Sequence, residues 1–267
     1  MSTSYSPIQR FILASYRLVL RSGMLSTAPG RGLFRHSYFT YKRFFEARHT
    51  KALLGFIVPN TVVVDVGANI GYFTHYFVQK VGAAGKVIAI EPEPQNCAEL
   101  RRLASIHRWQ EHVIVYEGAA ADVSGTFHLE VDPYHFANHK LALQGIPVQV
   151  TTIDALLLEC GNPQVSLIKI DVQGAEFKVL QGAVQTLTRY SPAIYAEVDE
   201  QALNRFQTSA SEVLTFLVDL GYAIHQLNQR GISPPLTASQ ALDQLRTKNK
   251  HYTDYLFLKT PDASAHQ

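Results

Sequence analysis

The sequence predicts an α/β protein, a doubly wound and mostly parallel sheet with helices on both faces. Three observations predict it. β-Branched or apolar runs alternate with segments of helical periodicity over most of the chain. Val62 to Val66 is apolar without alternation apart from Asp65, as expected for a strand covered on both faces. Carboxylates cluster where such runs end, at Glu91, Asp171 and Glu197, and in sheets of this kind ligands bind outside the carboxyl ends of the strands.

Composition narrows the class further. The chain has 267 residues, 46% of them hydrophobic, and a formal net charge of +2. That length supports one sizeable domain with an appendage. The division expected is a helical cap over 1–58, a cofactor-binding domain over 59–260 and a disordered tail over 261–267. The near-neutral charge argues against a nucleic-acid partner. Cys97 and Cys160 lack metal-ligand spacing, which suits a reducing, cytoplasmic setting. No apolar run reaches membrane-spanning length, and the first residues do not read as a signal peptide.

Taken in order, Ile8 to Leu25 places Ile8, Phe11, Ile12, Val19 and Leu20 at helical spacing, with Arg10, Arg17 and Arg21 between them. Such a helix either packs on the core or lies on an anionic membrane surface as a peripheral contact. Tyr38 to Glu46 is dense in aromatics and runs into a helical pattern ending near Leu54. It reads as a cap beside the cofactor cleft, either packing face or substrate contact. Pro59-Asn60 breaks that helix, and Val62 to Val66 is the first strand.

Asp65-Val66-Gly67-Ala68-Asn69-Ile70-Gly71 follows. Gly67 and Gly71 permit positive φ and close backbone approach, and the turn opens a helix whose first N–H groups are unpaired. Lys86 to Ile90 is the second strand and ends in Glu91-Pro92. A carboxylate there can accept from both ribose hydroxyls of an adenosine. The glycine spacing is not the G-x-G-x-x-G of dinucleotide sites.

Pro94 to His107 reads as a helix with proline in its first turn. His112 to Glu117 is the third strand and leads into Gly118-Ala119-Ala120-Ala121-Asp122. Small residues here let an adenine lie against backbone, and Asp122 can accept from its amine or stand as a solvated turn residue. Thr126 to Val131 and Pro147 to Thr152 alternate as a hairpin pair, joined by a polar, aromatic stretch carrying His135 and His139. Ile153 to Glu159 is a short helix and Val165 to Ile170 a buried strand before Asp171. A helix is expected from Glu176 to about Arg189, and a strand over Pro192 to Glu197. Ser211 to Leu220 is a helix closed by Gly221, and Tyr222 to Leu227 with Tyr255 to Lys259 completes the sheet.

Four blocks carry a resemblance. They are Val63 to Gly71, Glu91-Pro92, Thr151-Thr152-Ile153-Asp154-Ala155-Leu156, and Ile168-Lys169-Ile170-Asp171-Val172-Gln173-Gly174-Ala175-Glu176. Together they resemble the FkbM-type family of class I S-adenosylmethionine (SAM)-dependent methyltransferases, across roughly Thr61 to Glu200. The last block departs from the family's usual K-I-D-V-E-G-x-E at Gln173, which removes one negative charge. The resemblance implies a Rossmann-like, seven-stranded sheet and O-methylation of a hydroxyl on a sugar, glycolipid or natural product. It implies that Asp65, Gly67, Asn69 and Gly71 line the methionine end of SAM and that Glu91 holds the ribose. Ala120 and Asp122 then sit near the adenine, and Asp171 faces the methionine amino group or the reacting centre. Ala68, Tyr72, Phe73 and Pro92 are counted with the cofactor-binding set.

Methyl transfer also needs an acceptor for the hydroxyl proton. His135 and His139 are the expected bases, since histidine titrates near neutrality. Asp171, Glu176 and Glu197 have the oxygen donors a hard cation takes, but no ligand spacing marks a metal site. Two other readings are a dinucleotide-dependent oxidoreductase and a non-catalytic module that keeps the fold. The methyl acceptor and the oligomeric state carry no signal in the sequence.

Overall fold

A computed structural model describes residues 49–130, 140–142, 146–228, 231–247 and 252–260. The expected features on 1–48, including the helix over 8–25 and the aromatic run from Tyr38, lie outside the described residues. So do His135, His139 and the tail over 261–267.

The main sheet has seven strands. They are β1 (Val62–Val66), β2 (Lys86–Glu91), β3 (Val113–Glu117), β8 (Val165–Ile170), β9 (Ala193–Asp199), β10 (Tyr222–His225) and β13 (Tyr252–Lys259). Their order is β10-β13-β9-β8-β1-β2-β3. All neighbours pair in parallel except β13, which is antiparallel to both β9 and β10. The doubly wound, mostly parallel, seven-stranded sheet expected from the sequence is therefore the one observed.

The central strands are apolar on both sides because both sides are covered. All five residues of β1 and all six of β8 are buried. Side chains alternate between faces along a strand. Val62, Val64 and Val66 face one core with α3 (Ile153–Glu159), α4 (Glu176–Gln181), α5 (Val184–Tyr190), α6 (Glu200–Arg205), α7 (Ala210–Asp219) and α8 (Ala238–Thr247). Val63 faces the other, beneath α1 (Tyr72–Phe77) and α2 (Pro94–Ile106). Leu53, from the helical segment at 49–56, and Ile57 just after it complete that second core. The same alternation puts Asp65, Lys169 and Tyr195 on the α1 side.

A smaller sheet of order β4-β7-β5-β6 lies beyond β3, built from β4 (Ala119–Ala120), β5 (Gly125–Glu130), β6 (Lys140–Ala142) and β7 (Ile146–Thr151). β5 and β7 pair antiparallel, as their alternation predicts.

One expected element is corrected. The helix from Glu176 does not continue to Arg189 but breaks at Gly182 into α4 and α5. A Cβ on Gly182 would lie 2.0 Å from the Ala121 carbonyl oxygen, and the Gly182 carbonyl accepts from the Asp154 N–H at 3.0 Å. The chain stops being helical where α3 and the Ala121 backbone press against it. Two further departures are smaller. Glu197 lies within β9, which runs on to Asp199. The elements expected from the sequence also lack α6, α8 and the short hairpin β11 (Leu227–Asn228) with β12 (Gly231–Ile232).

Candidate active site

The turn after β1 is held between its two neighbouring strands. Gly67 has φ +72°, and a Cβ there would lie 1.9 Å from the Asp171 carbonyl oxygen, so only glycine fits. Asp171 N–H in turn donates to the Val66 carbonyl at 3.1 Å. On the other side the N–H groups of Gly67 and Ala68 donate to the Ile90 carbonyl at 3.0 and 3.1 Å. Asn69, at φ +51°, turns its N–H to Glu91 Oε2 at 2.8 Å, and its own Oδ1 accepts from Ile70 N–H at 2.8 Å. The glycine turn and the acid at the end of β2 are thus joined directly. Gly71 caps α1 at φ +88°, and a Cβ there would meet Leu100 of α2 at 2.7 Å. Its glycine serves helix packing.

Glu91 is buried and accepts three protein hydrogen bonds. Besides Asn69, they come from Glu93 N–H at 3.1 Å and Asn96 Nδ2 at 3.0 Å, both to Oε1. Burial pushes its carboxyl up to about 7, against the pull of those donors. A carboxylate offers roughly four acceptor directions, so at least one remains for a ribose hydroxyl. This donor set fits an adenosyl cofactor: fixed acceptors flank the turn, with Glu91 on one side and Asp171 on the other.

Beneath the turn lies a charge pair. Asp65 is fully buried. Its Oδ2 accepts from Thr74 Oγ1 of α1 at 2.7 Å, and its Oδ1 lies 3.3 Å from Lys169 Nζ. Lys169 also donates to the carbonyls of Gly67 at 2.8 Å and Val66 at 3.3 Å, and sits 3.8 Å from Asp171 Oδ2. Asp65 therefore reaches the turn through Lys169. Lys169 was not read as a site residue, although a lysine inside a run as apolar as Val165 to Ile170 must find a partner.

Past β8 the chain makes a tight loop. Gln173 has φ +59° and Gly174 φ +114°, and Glu176 Oε1 accepts from the N–H groups of Val172 and Gly174 at 3.2 and 3.1 Å. Glu176 is buried, its Oε2 has no hydrogen-bond partner among the described residues, and burial pushes its carboxyl up to about 7. The Gln173 amide Nε2 lies 3.3 Å from both Asp171 Oδ1 and Glu197 Oε2. Burial first, and then the charge of Asp171, raises the Glu197 carboxyl well above the usual range. Asp254 of β13 pairs with Glu197 in register. His49 sits 2.8 Å from the Tyr195 hydroxyl and 3.7 Å from Asp254 Oδ2, and burial lowers its pKa.

The remaining expected residues are spread around this frame. Ala68, Tyr72 and Phe73 are buried in the α1-side core, where the Tyr72 and Phe73 rings meet edge-on at 5.3 Å. Pro92 is half-buried, and Ala120 is buried in β4. Asp122 forms an ion pair with Lys178 at 3.6 Å, both about one-third exposed. Among the described residues no group of three or more His, Cys, Asp or Glu side chains is arranged to hold a metal, and no helix is long and apolar enough to cross a membrane.

Comparison with known proteins follows this geometry. The model of the methyltransferase FkbM domain matches residues 65–224. The chain is 27% identical over 180 residues to the 2-O-methyltransferase NoeI of Sinorhizobium fredii, covering 60% of this chain and 72% of that one. It is 30% identical over 154 residues to the hexuronic acid methyltransferase AglP of Haloferax volcanii, covering 56% of this chain and 62%, under two thirds, of that one. A crystal structure of a methyltransferase FkbM from Methylobacillus flagellatus overlaps 78% of this chain and 50% of its own, with a TM-score of 0.49 and 13% identity.

Proposed function

The chain belongs to the FkbM methyltransferase family and is a SAM-dependent methyltransferase, and from that premise we propose that it methylates a hydroxyl of a sugar or uronic acid. The observation that carries the reading is the latch between Asn69 N–H and Glu91 Oε2, which sets an adenosine-binding acid against a glycine turn with Asp171 on its far side. The names of NoeI and AglP, a 2-O-methyltransferase and a hexuronic acid methyltransferase, support a polyhydroxylated acceptor.

In this reading Glu91 accepts from the ribose, and Asp171 balances the ammonium of the methionine part. Gly67, Ala68, Asn69 and Gly71 shape the wall between them, with Asp65 holding that wall through Lys169. Tyr72, Phe73 and Pro92 back it. Ala120 and Asp122 flank the adenine. SAM supplies an activated methyl group when bound. The chain's own task is to hold an acceptor oxygen in line, exclude water and take up the hydroxyl proton. His135 and His139, which lie outside the described residues, are offered for that proton, and Glu197 is the alternative on the sheet edge.

The test is calorimetry of the full chain with S-adenosylhomocysteine (SAH) and with NAD, followed by transfer of labelled methyl from SAM to a panel of sugars and uronic acids. Binding of SAH but not NAD, with label on a hydroxyl, is expected. No binding of SAH overturns the reading. Residues 8–25 are proposed as a peripheral membrane contact of a cytoplasmic enzyme. Equal flotation with anionic liposomes of the full chain and a chain lacking them would remove that part.

A further inference from the structure

The strand order at the carboxyl edge runs β2, β1, β8, β9, β13. Neighbouring strands are roughly 4.8 Å apart. Glu91 on β2 and Asp171 after β8 therefore stand about two strand spacings apart, with the Gly67 turn between them. Glu197 on β9 is one strand further on, and its side is the one away from the ribose. A cofactor lying from Glu91 to Asp171 carries its sulfonium between the two, so its methyl group can face that side.

Gln173 joins the two carboxylates there. One amide nitrogen donates to Asp171 and to Glu197, both at 3.3 Å, using its two hydrogens. The backbone that aims it is held at φ +59°, and Glu176 pins the loop on either side through the Val172 and Gly174 N–H groups. A left-handed glutamine at a turn is a conformation kept only when its surroundings enforce it.

We propose that Glu197 is the catalytic base for the acceptor hydroxyl and that Gln173 is the residue that positions it, by tying it to Asp171. The inference rests on the methyltransferase reading above. In the step, the acceptor O–H bond breaks and its proton passes to a Glu197 oxygen. The electron pair left on the acceptor oxygen makes the new bond to the methyl carbon, while the pair of the broken carbon–sulfur bond stays on sulfur.

Burial and neighbouring charges make Glu197 a stronger base than an exposed glutamate. Glu197 faces carboxylates from every element around it: Asp171 after β8, Glu176 of α4, Asp199 of its own strand and Asp254 of β13. Tyr195, two residues back on the same strand, and Asp254 both meet His49, and Lys169 is directed to Asp65 and Asp171. Burial and these charges raise the Glu197 carboxyl. The amide of Gln173 is the donor that keeps its ionised form in place. A glutamate at 173 would replace those two donated bonds with another negative charge.

Two measurements on the full chain test this. Carboxyl NMR titration of the wild type, Gln173→Glu and Gln173→Met follows Glu197 without needing an acceptor. Either substitution removes a donor to the ionised form, and Gln173→Glu adds a like charge, so the Glu197 signal should titrate at least about one pH unit higher in both. An unmoved Glu197 overturns the role of Gln173. Turnover on an acceptor the wild type methylates should fall at least about a hundredfold in Glu197→Gln. SAH affinity should stay within twofold, because Glu197 lies past the cofactor. Gln173→Glu should retain partial turnover, with the rising limb of its kcat–pH profile moved to higher pH. Full turnover in Glu197→Gln, with loss in the double variant His135→Ala/His139→Ala, overturns the inference and leaves the methyltransferase reading standing. Absence of SAH binding by the wild type overturns the methyltransferase reading itself.

Discussion

Lys169 is 2% exposed, and its ammonium meets the turn, the acids around it and the face of the Phe73 ring, 5.3 Å from the ring centre. Replacing it with methionine keeps the packing and leaves the Asp65 charge buried with Thr74 as its hydrogen-bond donor. The expected loss is about 3–5 kcal/mol in urea unfolding, because removing one partner of a buried pair strands the other. Glu91 and Glu176 act with the opposite sign. Both carboxyls are raised to about 7 in the folded protein, so they bind protons there more tightly than in the unfolded chain. Their contribution to stability is present below the unfolded value near 4.5 and is lost as pH rises through about 7. Melting temperature should therefore fall between pH 5 and pH 8. Glu176→Gln, which imitates the protonated side chain, should flatten that fall and be the more stable protein at pH 8. At this scale the sequence was legible where a residue type has one use. Gly67, Asn69 and Glu91 could be named because the turn and its acid are close in the chain. The partner of Lys169 could not, because Asp65 is over a hundred residues away and only the sheet register brings them together.

Among the elements, α4 and α5 separate propensity from packing. The periodicity runs through Gly182 without interruption, and a glycine inside a helix costs about 1 kcal/mol relative to alanine. By that measure Gly182→Ala should stabilise the protein. The structure predicts the reverse, since the added Cβ meets the Ala121 carbonyl at 2.0 Å and must push α3 or the small sheet aside. A loss of about 1–3 kcal/mol in chemical unfolding is expected, and a gain would show that the two helices can fuse. The same limit explains what else escaped the sequence reading. The helix over Ala238–Thr247 sets Ala238, Ala241, Leu242 and Leu245 on one face, a helical pattern too short to stand out between polar residues. The central strands β1, β2 and β8 were visible because burial on both faces makes them almost uniformly apolar, and β7 because its side chains alternate between buried and exposed.

The whole molecule places its acids at the carboxyl ends of β2, β8 and β9, on the edge where the glycine turn lies. A ligand that bridges that edge ties strands together, so SAH at a hundred times its Kd should add about 2.7 kcal/mol of stability. For a protein of this size that is a rise of roughly 5–10 °C in Tm, readable by differential scanning fluorimetry. The topology has a further consequence for how the molecule is made. β13 lies between β9 and β10, yet both of these precede it in the chain. A nascent polypeptide translated only as far as Thr247 therefore carries β10 without its pairing partner and a slot beside β9 where β13 belongs. The last strand of the chain takes an inner place in the sheet and not a rim. During that interval on the ribosome, the slot can accept a stray strand from another chain, and a chaperone that shields it would serve this fold most.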